Sequence, residues 1–404
     1  MNSNIDFLIV GAGIYGATIA RILSDVGYIC LIIDRRPHIA GNCFTVPGDQ
    51  GLYDIHAYGP PIFHTSDLLV AKFITNYTKF NNHQQNTIAL NKNKLYDLPF
   101  NMNTFYSLFN VLKPEEAYEK IKNEIADANN IYKDRTDLEA VANMFVGKTI
   151  YNTLIKDYTE KQWHKKCSEL PGDIIKRLPL RYSYDNNYFE DLFYGIPNDG
   201  YTTVIENIIN GNAYDKELHL PITYILNVDY NESREFWSTL ATRVIYCGAV
   251  DELLDYKLGE LEWRSLRFEN KQYMYDGKNG QGTAIINYTG KQPKATRSIE
   301  HMYFTKDRWM GKKDFSSVIT TEYPDDYEKG KERYYPINDE KNDELYNKYV
   351  ELLKEEMPNV MLGGRLGKYK YFDMDDAIKE AINDANIIIQ TDKAQVNKNM
   401  NINE

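Results

Sequence analysis

The chain has little cysteine. Cys30, Cys43, Cys167 and Cys247 are scattered over 404 positions with no C-x-x-C pair, so a reduced, cytoplasmic thiol state is the simple reading. Histidine is sparse as well. The seven residues show no clustered ligand spacing, and a metal centre is not expected. No apolar run is long enough to span a bilayer. The first strand-like segment begins almost at once, so no secretory leader is expected. Basic residues are the minority, 47 against 58 acidic, for a net charge of −11. That disfavours a general binder of nucleic-acid backbones, though not a local basic pocket for one anionic ligand. What is abundant is tyrosine, with 33 residues. Phenols stack on bases and donate to phosphate oxygens.

The organising stretch is the first thirty-five residues. Ile5 to Val10 is an almost wholly apolar run, as a buried parallel strand should be. Gly11, Gly13 and Gly16 follow as G-x-G-x-x-G, and Ala17 to Leu23 continues with helical spacing. A second apolar run, Tyr28 to Ile33, closes on Asp34. Strand, glycine turn, helix, strand and acid together predict a dinucleotide site. The glycines serve a tight turn, close backbone approach to a pyrophosphate, and helix–strand packing. The pyrophosphate would sit on the helix N-terminus, and Asp34 would accept the ribose hydroxyls. A second small-residue turn at Ala40-Gly41-Asn42 favours FAD over a nicotinamide cofactor.

At this length two or three domains are expected. The fold class is α/β: a Rossmann-type FAD-binding domain of discontinuous segments (1–80, 194–250, 336–392), a small helical domain (98–166) and a largely antiparallel sheet domain. The last draws on 81–97, 167–193 and 251–335. A helix is expected from Asp67 to about Tyr77. Pro114-Glu115-Glu116 opens another, and Thr136-Asp137-Leu138-Glu139 matches a capping box. Residues 168–200, rich in Arg and Tyr and punctuated by Pro and Gly, read as a functional loop. Near the end, Asn359 to Leu362 reads as a strand, Gly363-Gly364-Arg365-Leu366-Gly367 as a turn, and a helix starts near Asp375. Such a unit can complete a flavin site, its helix dipole favouring negative charge on a reduced flavin. The polar tail 393–404 is expected to be disordered.

In order along the chain, GAGIYGA, IFHT at 62–65, LPFNMNTF at 98–105, YTEKQW at 158–163 and KRLPLRYSYDNNYF at 176–189 resemble the UDP-galactopyranose mutase family. TRSIEH at 296–301, YYPIND at 334–339 and GGRLGKYKYFDM at 363–374 extend that resemblance over about residues 5–390. It implies a redox-neutral isomerase in which reduced FAD attacks the anomeric carbon of a UDP-sugar through N5, displacing UDP and exchanging pyranose for furanose. UDP-galactose is the default sugar, and the product would enter cell-surface polysaccharide. It further implies a cytoplasmic homodimer that receives electrons from NAD(P)H or a reductase.

By the same resemblance, Arg181 and Arg297 clamp the diphosphate, Arg181 from a mobile loop. Arg suits this, its planar fork binding phosphate oxygens in pairs. Tyr335 and Tyr371 hydrogen-bond the diphosphate, and Tyr158 stacks on uracil. Thr159, Trp163, Tyr188 and Asn287 lie near substrate, and His64 lies near the flavin. The cofactor set is Gly11, Gly13, Tyr15, Gly16, Asp34, Arg35, Gly41, Asn42, Gly248, Gly364, Arg365, Asp373 and Met374. One departure bears on the sugar. The family reads G-A-H-I-F-H-T where this chain has Gly59-Pro60-Pro61-Ile62-Phe63-His64-Thr65, so Pro61 replaces a substrate-facing histidine. Cys247-Gly248-Ala249 also stands where Thr-Gly-Pro is usual. Alternatives are the same chemistry on an N-acetylated, deoxy or different-base nucleotide sugar, an amine-oxidase-like flavin oxidoreductase, or a non-catalytic nucleotide binder.

Overall fold

The computed structural model describes residues 5–172, 175, 179–215 and 219–402. Its first layer is a five-stranded sheet in the order Val360–Leu362, Ala241–Tyr246, Ile5–Val10, Cys30–Asp34, Thr223–Leu226, every pairing parallel. The sheet thus joins distant segments: Ile5–Val10 pairs with Ala241–Tyr246, over 200 residues further along the chain. The central runs are apolar because both faces are covered. Phe7 and Ile9 face one core cluster, Leu8 and Val244 the other.

The helix Ile14–Asp25 lies against this sheet. A Cβ on Gly16 would stand 1.9 Å from the Gly11 carbonyl oxygen, so only glycine lets the helix close onto the turn. Gly11 itself has φ +123°. On the helix's outer side packs the C-terminal helix Met374–Ile402. Ile378, Ala381, Ile382, Ala385 and Ile388, at three- and four-residue spacing, supply its buried stripe. This helix continues to Ile402, which corrects the expected disordered tail as far as that residue; 403 and 404 lie outside the described residues. The packed first half supplies a nucleus, and propagation from an existing helix costs little.

The second layer is a seven-stranded sheet. Its order is Tyr335–Pro336, Trp263–Tyr275, Phe315–Asp326, Arg297–Glu300, Ile285–Tyr288, Thr87–Asn91, Lys94–Leu98. All pairings are antiparallel except Ile285–Tyr288 with Thr87–Asn91. Helices Met102–Phe109, Pro114–Ile131, Leu138–Val146 and Lys156–Trp163 form a cap with its own core of Phe100, Phe105, Ile121, Leu138 and Leu154. The third of these is capped by Asp137, whose side chain accepts from Ala140 N–H, and not by Thr136 as the capping-box match suggested. Asp137 also holds Arg135, which fixes its carboxylate in the capping position. The start of the KRLPLRYSYDNNYF segment, 176–178, lies outside the described residues. Among the described residues no helix is long and apolar enough to cross a membrane.

Candidate active site

Three cavities, of about 240, 770 and 550 Å³, run end to end. The first and second share Asn42, Cys43, Arg365, Asp373 and Met374; the second and third share Arg297, Tyr335 and Tyr371.

The first lies at the carboxyl ends of the parallel strands, the usual place for a ligand in such a sheet. Gly11, Gly13, Tyr15, Gly16, Asp34, Arg35, Gly41 and Asn42 line it, and so do Gly248, Gly364, Arg365, Asp373 and Met374. The Asp34 carboxylate is oriented by two backbone donors, Ala12 N–H at 2.7 Å and Arg36 N–H at 2.8 Å. Gly13 and Gly41 approach closely: a Cβ on Gly41 would stand 3.1 Å from Gly13 Cα. At the far end, Asn231 Oδ1 and Arg333 Nε are buried with no hydrogen-bond partner. A glycine cradle, an oriented acid and unpaired polar atoms at the opposite end fit a dinucleotide such as FAD.

Pro61, His64, Tyr188 and Asn287 line the central cavity. His64 stacks on Phe189 with centroids 4.1 Å apart, and its Nδ1 pairs with Asp191 at 2.9 Å. Ser66 donates to the other Asp191 oxygen at 2.8 Å. Asn287 Oδ1 is buried without a partner, an acceptor available to a ligand hydroxyl. Pro60 and Pro61 offer the cavity no backbone donor.

At the junction with the third cavity, the Tyr335 and Tyr371 rings stack 5.8 Å apart. Tyr371 donates to Asp373 at 2.8 Å, and the Arg365 guanidinium lies 4.7 Å over the Tyr371 ring. Burial, with the Glu322 charge, pushes the Tyr335 phenol up to about 12, so it stays a donor at neutral pH. Arg297 reaches Glu322 through Nε at 2.8 Å and the terminal nitrogen at 2.6 Å. Burial would lower the Arg297 pKa, but Glu322, Tyr335 and Tyr158 more than offset it and keep the cation charged. Tyr158 and Trp163 form the opposite wall.

Two candidates stand apart from these walls. Arg181 is only 8% exposed. It points at Glu190, 2.9 Å from Nε, and at the Asn187 carbonyl. Its backbone N–H donates to Phe100 O. It sits behind the central cavity because the NNYFED turn folds over it. Thr159 is buried in the helix Lys156–Trp163 and does not line the cleft. Conversely, the walls include Gln85, Thr87, Asp191, Asn231 and Arg333, none of which the sequence singled out. Thr87 reaches the wall through the parallel pairing of its strand with Ile285–Tyr288. Asp191 stands two residues beyond the NNYF motif of 186–189, and an acid pair at that point was the one available signal.

A family model described as UDP-galactopyranose mutase matches residues 153–371, and one described as NAD(P)-binding Rossmann-like domain matches 9–76. The chain is 35% identical to the dTDP-fucopyranose mutase of Escherichia coli, over 96% of this chain and 99% of that one. It is 37% identical to a protein of Klebsiella pneumoniae described as probable UDP-galactopyranose mutase, over 95% and 94%. A crystal structure of reduced UDP-galactopyranose mutase superposes with a TM-score of 0.68 over 96% of both chains at 13% identity, which speaks for the fold. Cleft, fold and kinship agree: the chain belongs to the UDP-galactopyranose mutase family, isomerases that interconvert the pyranose and furanose forms of a nucleotide sugar.

Proposed function

We propose that this chain interconverts the pyranose and furanose forms of UDP-galactose. FAD occupies the first cavity, the sugar the central one and the nucleotide the third. The observation that carries the reading is the position of Arg297, Tyr335 and Tyr371 at the junction of the second and third cavities, where a diphosphate would lie. When bound and reduced, FAD supplies a nucleophilic nitrogen for the anomeric carbon. The chain's residues do the rest. Arg297 and the Tyr335 phenol hold the diphosphate, so it can leave and wait with its charge compensated. Glu322 holds the Arg297 fork in place. Asn287 Oδ1 accepts from a sugar hydroxyl and limits rotation of the ring over the cofactor. Asp191 and Phe189 hold the His64 ring at the same cavity. Arg181 takes part only if the segment around Glu190 opens. Activity needs a cytoplasmic reductant such as NAD(P)H or a reductase, and the working unit is a homodimer.

The test is redox state. Purified protein is expected to be yellow, nearly inactive when oxidised, and active on UDP-galactose after dithionite reduction, with no net electron consumption. Equal turnover by rigorously oxidised protein contradicts the reading.

A second reading concerns the sugar, and Pro61 favours it. Proline supplies no imidazole and no N–H to the central cavity, so a sugar hydroxyl missing at that wall leaves no group of residue 61 unpaired. A relative named for fucopyranose, a 6-deoxy sugar, is 35% identical. The expected result is a higher kcat/KM for a 6-deoxy sugar relative to UDP-galactose than the Pro61→His variant shows. Ratios that agree within about twofold would mean position 61 does not set the preference.

A further inference from the structure

Lys161 lies in the helix Lys156–Trp163, between residues that face the third cavity. Tyr158, Gln162 and Trp163 line that cavity; Lys161 does not. Its side chain goes the other way, to three main-chain carbonyls: Tyr288 O at 2.7 Å, Gly290 O at 3.0 Å and Pro293 O at 3.0 Å. An ammonium has three donors, and here each has one acceptor. The three carbonyls belong to the turn joining the strands Ile285–Tyr288 and Arg297–Glu300. At the base of that hairpin, Asn287 pairs with Arg297 in register. One side chain therefore ties the helix that carries Tyr158 and Trp163 to the hairpin that carries Asn287 and Arg297.

We infer that Lys161 is a positioning residue for nucleotide binding: it sets the gap between the helix wall and the hairpin wall of the third cavity. Hydrogen bonds from a charged donor are shorter and stronger than neutral ones, and three converging on one nitrogen fix its position in three directions. A neutral side chain would leave three carbonyls to water and the two walls free to drift apart. The nucleotide is remote from the reacting carbon, so the lost contacts are equal in ground and transition states. Binding falls while turnover is spared. The inference rests on the placement of the nucleotide proposed above.

The experiment measures UDP binding by titration calorimetry, with kcat and KM, on the reduced holoenzyme of wild type, Lys161→Met and Lys161→Arg. Lys161→Met is expected to weaken UDP binding about tenfold and raise KM similarly, with kcat within about twofold and FAD content unchanged. Lys161→Arg keeps the charge, but its planar fork cannot aim at three converging carbonyls, and it should remain at least about threefold weaker than wild type. Wild-type affinity in either folded variant overturns the inference, as does a loss confined to kcat. Should the Met variant not fold, the Arg variant decides. A wild type that binds no UDP overturns both the functional reading and this one, whereas equal binding by all three proteins overturns this one alone.

Discussion

Arg297→Ala is expected to lower kcat/KM by at least about tenfold to 100-fold, the largest loss from any single side chain in the cleft. Two costs combine. Loss of a charge-assisted fork to a phosphate is worth about 1.5–3 kcal/mol, and each 1.4 kcal/mol is tenfold. The change also strands Glu322, only 2% exposed, whose Oε2 accepts twice from the Arg297 guanidinium. Breaking a buried pair on one side costs about 3–5 kcal/mol, so part of the measured loss would be stability. The double variant Arg297→Met, Glu322→Gln separates the two: it removes both charges, should recover thermal stability, and should still bind UDP poorly. Wild-type kinetics in Arg297→Ala, or tight UDP binding by the double variant, would refute the assigned role. Arg181→Ala is expected to behave differently. Its side chain is engaged with Glu190 and the Asn187 carbonyl, so its removal should first loosen the 185–191 segment.

Gly13→Val is expected to yield a folded protein that carries no FAD. A Cβ at position 13 would meet only Gly41 Cα, at 3.9 Å, an ordinary contact that the fold tolerates. The valine methyl groups would extend into the first cavity, where a pyrophosphate needs the bare backbone. Gly16→Val makes the contrast, because its Cβ would overlap the Gly11 carbonyl oxygen and prevent the helix from closing on the strand. Visible absorbance and circular dichroism distinguish the outcomes: colourless and folded for position 13, poorly folded for position 16. A yellow, fully loaded Gly13→Val protein would show that this glycine is not part of the cofactor cradle.

The cofactor end was the more legible part of this molecule. Gly11, Gly13, Gly16 and Asp34 lie within one strand–helix–strand unit, and the backbone geometry of such a unit is set by residues a few positions apart. The strands flanking that unit were legible as apolar runs, because a strand covered on both faces leaves that mark.

The substrate end depended on partners that no local pattern encodes. Arg181 and Arg297 are the same residue type with the same expected role, yet one is buried away from the cavity walls and the other stands where the second and third cavities meet. That difference arises because Glu322, on the adjacent strand, orients Arg297 into the cleft, while Glu190, nine residues on, draws Arg181 away. His64 and Asp191 are 127 positions apart. Lys161 and the carbonyls it holds are separated by as much. What the sequence determined by itself was the set of local units: the glycine turn, the helix starts, the alternating strands and the motifs that name the family. Only the tertiary structure decided which charges face the ligand. Charge orientation follows from desolvation and pairing across the fold, whereas turns and periodicity follow from neighbours along the chain.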